Sequence, residues 1–340
     1  MSRYAGVNET RRNGSFRASV AVAFLIVVFL FCGYPASATE PDAVSLLQNG
    51  RANQALQVLN ARIQKDASDA QAYNLMARVY FQLEQWDDAI RAAEKSVALA
   101  PQVGEYHQWL ARACGEKAEA AGAVSAFSLV RRVKSGFEKA VALDPDGKNL
   151  SARVDLAEFY IEAPYVMGGD KTKARHIADF VSEHDPALSH YILAKLEEKQ
   201  NAKNRAEKEY QAAIEASGNM AKYWIMLGSF YRRAGRVDDM ETAVSKSLSA
   251  KRDEGVSLFD GATLLMNGGR NFPQAIQMLR RYLSLDDPAE DGPAFQAHYF
   301  LGVLLEKQGD TRAAVAEYRA AVALASDYKR AQDALARLSH

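Results

Sequence analysis

Cysteine is nearly absent: the 340 residues contain two, Cys32 and Cys114. That count excludes a disulfide framework, and stability has to come from packing. Charge of one sign is also missing, with 42 Lys and Arg against 42 Asp and Glu. The first 38 residues hold Arg3, Arg11, Arg12 and Arg17 against Glu9, so the rest carries 38 basic and 41 acidic groups. This balance lacks the basic field that nucleic-acid binding requires, and it gives no reason to expect a generic anionic-membrane role.

Catalytic and cofactor signatures are missing too. No serine sits in a Gly-x-Ser-x-Gly elbow. Gly168-Gly169-Asp170-Lys171-Thr172 lacks the contiguous Gly-Lys-Ser/Thr of a phosphate loop, and Asp170 would put a negative charge where phosphate should sit. His176 and His184 are eight residues apart, not the three or four of a helical metal pair. Cys114 has no base at a recognisable spacing, so a buried, inert thiol is expected. The sequence therefore implies no metal, no cofactor and no enzyme. A catalytic site at residues 163–170 would have only Glu158, Glu162 and Asp170 to work with.

One long apolar run is present, and it is N-terminal. Arg11, Arg12 and Arg17 precede an uncharged stretch from Ala18 to Tyr34, followed by Pro35 and Ala36-Ser37-Ala38. This is the layout of a secretory signal cleaved after Ala38. Phe31 before Cys32 is too large for a lipoprotein site, and Gly14 breaks the twin-arginine pattern. The expectation is an exported, periplasmic protein. The alternative is an inner-membrane anchor formed by residues 18–34, in which case the membrane is touched only there.

Beyond that segment the chain repeats itself. Trp224-x-x-Leu227-Gly228-x-x-Tyr231 is matched by His298-x-x-Leu301-Gly302-x-x-Leu305, Tyr73-x-x-Met76-Ala77-x-x-Tyr80 and His107-x-x-Leu110-Ala111-x-x-Cys114, and His190-x-x-Leu193-Ala194 begins another. A second set follows three of them: Ala206, Tyr210, Ala213; Ala314, Tyr318, Ala321; and Phe137, Ala140, with Asp144-Pro145 at the exit, where Pro101 and Pro186 mark other exits. These residues resemble the tetratricopeptide repeat, whose two helices carry large and small residues at these spacings. The marker residue opening the second helix, alanine in six of eight units, falls at Ala55, Ala89, Val133, Ala174, Ala206, Met240, Ala275 and Ala314, in steps of 34, 44, 41, 32, 34, 35 and 39. The resemblance implies an all-α fold, a right-handed superhelical solenoid of antiparallel helix pairs. About eight repeats would fill residues 39–326, and residues 327–340 would form a C-terminal capping helix with Ala331, Ala334, Leu335 and Leu338 on its apolar stripe.

Two units are long. Repeat 3 carries about ten extra residues in 115–132, and repeat 4 about five in 163–170, both at the turn between paired helices, so both are expected on one edge of the array. Phe137 to Pro145, Asp155-Leu156-Ala157-Glu158-Phe159-Tyr160, Ala163-Pro164 and Gly168-Gly169 resemble uncharacterised bacterial exported repeat proteins. Phe127, Leu129, Tyr165 and Met167 form either an apolar lid that touches a ligand or the packing between the two insertions.

In the tetratricopeptide family the first helices line a concave groove. Carried onto this chain, its positions are Asn74 and Arg78, Gln108 and Arg112, Glu158, Tyr191 and Lys195, Ile225 and Arg232, Phe259, and Tyr299. The carboxylate clamp of chaperone-binding repeats is not reproduced, because Arg78 stands where its Asn is expected. Cations alternating with aromatics suit an extended peptide bearing carboxylates, or they simply keep the groove soluble. The resemblance implies a scaffold for a protein or peptide partner, with homo-oligomerisation through the array ends or the inserted edge as the alternative. His107, His190 and His298 occupy the large-residue position of the first helix and are expected to be structural.

Overall fold

A computed structural model describes residues 42–120, 122–250, 255–285 and 289–338, with the side chains of 123–125 excepted. The segment read as a signal, its cleavage point after Ala38, the anchor alternative 18–34 and Cys32 lie outside the described residues. Among the described residues no helix is long and apolar enough to cross a membrane.

Seventeen α-helices and no strand occur among the described residues. Sixteen of them pair in chain order: α1 (Ala43–Gln48) with α2 (Ala52–Lys65), α3 (Ala70–Gln82) with α4 (Trp86–Leu99), α5 (Gly104–Ala120) with α6 (Ala123–Ala142), and α7 (Leu150–Glu162) with α8 (Lys171–Ser182). Then come α9 (Pro186–Lys199) with α10 (Lys203–Ala216), α11 (Ala221–Arg233) with α12 (Val237–Leu248), α13 (Gly255–Gly268) with α14 (Phe272–Leu283), and α15 (Ala294–Lys307) with α16 (Thr311–Leu324). The last, α17 (Lys329–Leu338), packs on α16.

Capping side chains set several of these helix starts. Asp69 accepts from the Ala72 amide, Asn149 from Ala152, Asp185 from Leu188 and Asp310 from Ala313, each satisfying an amide that has no partner inside its helix. Asp170 caps α8 through Thr172 and Lys173, as its position after Gly168-Gly169 suggests. The marker residues explain the pairing. Ala55, Ala89, Ala174, Ala206, Met240, Ala275 and Ala314 are fully buried, and Val133 nearly so. The six alanines there let the two backbones approach, while large side chains such as Tyr210, Tyr282 and Tyr318 fill the space between hairpins.

The core is a band of three apolar clusters. One runs through the last four hairpins and one through hairpins 2 to 5. The third joins the two ends: Leu46, Leu47, Leu75 and Val79 pack with Phe295, Ala325, Tyr328 and Ala331. Polar contacts line the same seam. Asn53 Nδ2 donates to the Ala323 carbonyl at 3.2 Å, the Ser326 amide donates to Asn53 Oδ1 at 2.9 Å, Gln82 and Gln296 exchange bonds with the 290 and 82 carbonyls, and Arg330 meets Glu84 at 2.9 Å. The array therefore returns to its start. The cap expected at a free end covers hairpin 8, and its leading residues Tyr328 and Ala331 enter the seam.

The extra residues of hairpin 3 are helical. They lengthen α5 to 17 residues and α6 to 20, where a loop between the helices was expected. The sequence there has no Pro, and good helix formers such as Glu116, Lys117, Ala118 and Glu119 let both helices continue. The extra residues of hairpin 4 form a short 3-10 helix, Tyr165–Met167, which packs beside α6.

Candidate functional site

The groove positions are occupied from within. Arg78 is held by Glu290 through a two-bond guanidinium–carboxylate contact and by Glu105 at 3.0 Å. Arg112 makes the same two-bond contact with Asp155, at 2.7 and 3.2 Å. Lys195 faces Glu162 at 3.3 Å, and Tyr191 donates to Glu158. Gln108 is buried, donates to Ser151 and Asp155, and accepts from Asn149. Asn74 is buried, and among the described residues its amide nitrogen has no partner. Tyr299 sits in a ring cluster with Phe300, Tyr318 and Tyr328, and among the described residues the exposed Arg232 has no ion-pair partner. Thus most groove cations are already neutralised by carboxylates of neighbouring hairpins.

A cavity of about 630 Å³ opens beside these pairs, between α5 and α7, with α6 behind and Asp291 reaching in from across the seam. Helical spacing builds its walls. Arg112, Gly115, Glu116 and Glu119 fall at i, i+3, i+4 and i+7 on α5, and Asp155, Glu158, Phe159 and Glu162 do the same on α7, so two acidic faces confront each other. Phe81, Trp109, Val133, Phe137 and Met167 supply apolar surface. Trp109 is nearly buried, has the Phe81 ring edge-on at 5.6 Å, and carries the Arg78 and Arg112 guanidiniums at 5.1 and 4.8 Å. It separates this cavity from a polar cleft of about 490 Å³ lined by Arg78, Gln108 and Arg112.

The carboxylates fall into two groups. Burial opposes the charge of Glu162, but the bonds and charges of Lys199 and Lys195 hold it below the usual carboxylate range. Glu158 accepts from Tyr191, whose hydroxyl is pushed well up by burial and by the Glu158 charge. Glu116, Glu119 and Asp291 have no ion-pair partner among the described residues. Burial pushes the Glu116 carboxyl up, and Glu119 and Glu84 add to the shift. Burial also raises Asp291; Arg112 and Arg78 oppose this, while Glu290 and Asp155 add to it. Both side chains reach solvent at the rim, with protein crowding the carboxyls.

On the inserted edge Met167 lines the cavity, Leu129 is buried, and Phe127 is exposed with Arg131 5.1 Å from its ring. Tyr165 and Val166 are 90% and 84% exposed, so they neither pack the insertions together nor cover the cavity.

A second arrangement is structural and recurs. In hairpin 5, His190 meets Glu209 at 2.7 Å, and the buried Tyr210 donates to Glu198, which also receives Arg233. In hairpin 8, His298 meets Glu317 at 2.7 Å, and Tyr318 donates to Glu306, which receives Arg337. Arg337 is the main reason Glu306 lies below the usual carboxylate range. His107 contacts the Pro101 carbonyl at 2.9 Å, so all three repeat histidines have local structural partners. Cys114 is buried, and burial raises its thiol. Among the described residues no group of three or more His, Cys, Asp or Glu is placed to hold a metal ion.

Paired helices with small residues at the crossings, stacked into a superhelical band, define an α-solenoid of the tetratricopeptide type. A family model described as "Tetratricopeptide repeat" matches residues 74–131 and 259–329, and one described as "Anaphase-promoting complex, cyclosome, subunit 3" matches residues 37–96. No curated protein matches the chain. Among solved structures, yeast Tom70 is similar at 16% identity and a TM-score of 0.50, over 91% of this chain and 65% of that one. A chain of the APC/C hetero-tetramer Cut9-Hcn1 is similar at 14% identity and a TM-score of 0.43, over 88% of this chain and 48% of that one. A tetratricopeptide repeat protein from Parabacteroides merdae ATCC 43184 is similar at 10% identity and 0.44, over 88% and 96%. The chain thus spans about half of the Cut9-Hcn1 chain and less than two thirds of Tom70. Residues 74–131 and 259–329 thus carry tetratricopeptide repeats, and the fold is of that type.

Proposed function

We propose that this protein is a non-catalytic scaffold of the cell envelope that holds a protein or peptide partner. The observation that carries this is the cavity framed by the first helices of hairpins 2 to 4, where the array presents aromatic surface and carboxylates together. The non-catalytic part is supported by what the nearby acids do. Glu162 is neutralised by two lysines, Glu158 accepts from Tyr191, and Asp170 caps α8, so none of the three is poised for proton transfer. Export, periplasmic by cleavage after Ala38 or anchored by residues 18–34, rests on the N-terminal sequence pattern.

The test is affinity capture from an envelope extract with the chain from Thr39 onward as bait, read by mass spectrometry. Specific retention of one protein or complex is expected, and retention no greater than on a blank matrix counts against the scaffold. Mass analysis of the native protein is expected to find an N-terminus at Thr39; an intact Met1 contradicts cleavage. A second reading, self-association, is favoured by Tyr165 and Val166 on the inserted edge, and a sedimentation coefficient independent of concentration rules it out.

A further inference from the structure

By sequence the groove positions suit a ligand bearing carboxylates, but most of their cations are paired within the protein, and the cavity has the opposite chemistry. Its lining holds six carboxylates and one cation, Arg112, which is already bound to Asp155. Asp155 and Glu162 are matched by neighbouring side chains. Glu116, Glu119 and Asp291 have no ion-pair partner among the described residues, and Glu158 keeps its charge because the Tyr191 hydroxyl is neutral, leaving about four uncompensated negative charges around the cavity. A carboxylate ligand would add to that repulsion. The volume, about 630 Å³, lies in the range of specific ligand pockets and exceeds what one side chain fills. The rings of Phe81, Trp109 and Phe159 offer flat apolar surface to an aliphatic stem. The two guanidiniums already near Trp109, at 5.1 and 4.8 Å, show that this wall accommodates cations.

We propose that the cavity between α5 and α7 takes a Lys or Arg side chain, flanked by apolar residues, from an extended segment of the partner protein. The stem lies against Phe81 and Phe159, and the charged head reaches Glu116, Glu119 and Asp291. Met167 and the exposed Tyr165 and Val166, on the adjoining inserted edge, are available to the apolar flanks. The proposal rests on the scaffold reading above and names the chemistry of its partner.

The experiment is a selection of displayed random peptides on the chain from Thr39 onward, run in parallel on a Glu116→Lys/Glu119→Lys variant. Both substitutions are on exposed side chains that have no ion-pair partner among the described residues, so circular dichroism and thermal midpoint should match the parent. Glu116→Gln/Glu119→Gln serves if the reversal misfolds. Enriched sequences are expected to place Lys or Arg beside an aromatic or branched aliphatic residue. The synthesised winner is expected to bind the reversed variant about tenfold or more weakly, as reversing charges facing a cation should produce. Enrichment of acidic or uncharged sequences, equal binding to both proteins, or no enrichment overturns the assignment. Peptides indifferent to the variant remove the cavity and leave the scaffold standing; the scaffold itself falls only with the extract capture.

Discussion

Gly50 makes the seam between the array ends open to a point test. It sits in the turn between α1 and α2 at φ +61°, and a Cβ there would lie 2.3 Å from the Ala294 nitrogen and 2.9 Å from the Pro293 carbonyl carbon. Those are backbone atoms at the start of α15, so no rotamer change relieves the overlap. Gly218, at φ +67°, has nothing within 4 Å of the same position and serves as the control. Gly218→Ala should cost about 1 kcal/mol, the left-handed backbone strain alone. Gly50→Ala carries the same strain plus about 1–3 kcal/mol of overpacking, roughly 2–4 kcal/mol in all. Urea unfolding followed by helical ellipticity measures both, with unchanged slopes showing that the midpoints report stability. If Gly50→Ala is no more destabilising than Gly218→Ala, hairpin 1 does not rest on hairpin 8.

Tyr318→Phe removes the buried hydroxyl that donates to Glu306 and is expected to lower stability by about 1 kcal/mol by thermal melting; no change would mean the Tyr–Glu–Arg arrangement contributes nothing. Asn74→Leu replaces a buried amide whose nitrogen has no partner among the described residues, and stability should hold or rise by about 1 kcal/mol, whereas a clear loss would show that the amide has a partner. Acid should weaken the fold through carboxyls held below their ordinary range. Burial works against Asp144, yet the Asn149 and Lys148 amides and Arg153 hold it down; Arg337 does so for Glu306, and the lysines for Glu162. A depressed carboxyl contributes fully above its unfolded value, about 3.9 for Asp and 4.3 for Glu, and loses that contribution as pH falls through the folded value. The urea midpoint should therefore drop as pH falls below about 5, and by less in Asp144→Asn.

The repeat was legible because its packing is local. Ala206, Tyr210 and Ala213 announce a helix pair within one unit, and their burial follows from that pattern alone. The seam was not, because it joins residues such as Asn53 and Ser326 that share no periodicity and meet only after eight hairpins complete the band. The fate of the groove cations was hidden for the same reason: Arg78 finds Glu290 from the far end of the chain, and Arg112 finds Asp155 one hairpin on. The acidic wall was present in the sequence as Glu116 and Glu119 on α5, and Asp155, Glu158 and Glu162 on α7. Such i, i+3, i+4, i+7 carboxylates look like a solvated face until a second helix is placed opposite. The extra residues of hairpin 3 looked like a loop because repeat arithmetic counts insertions without saying whether they stay helical.

The eight hairpins close on themselves through the seam, and the acidic, aromatic cavity is the surface we propose for a partner. Small-angle X-ray scattering from the chain beginning at Thr39, at low and at 1 M salt, tests the closure most directly. One profile is expected at both salts, matching the closed array, because Phe295 and Tyr328 bury apolar surface across the seam that salt does not screen. A longer particle, or one that lengthens as salt is added, would contradict it.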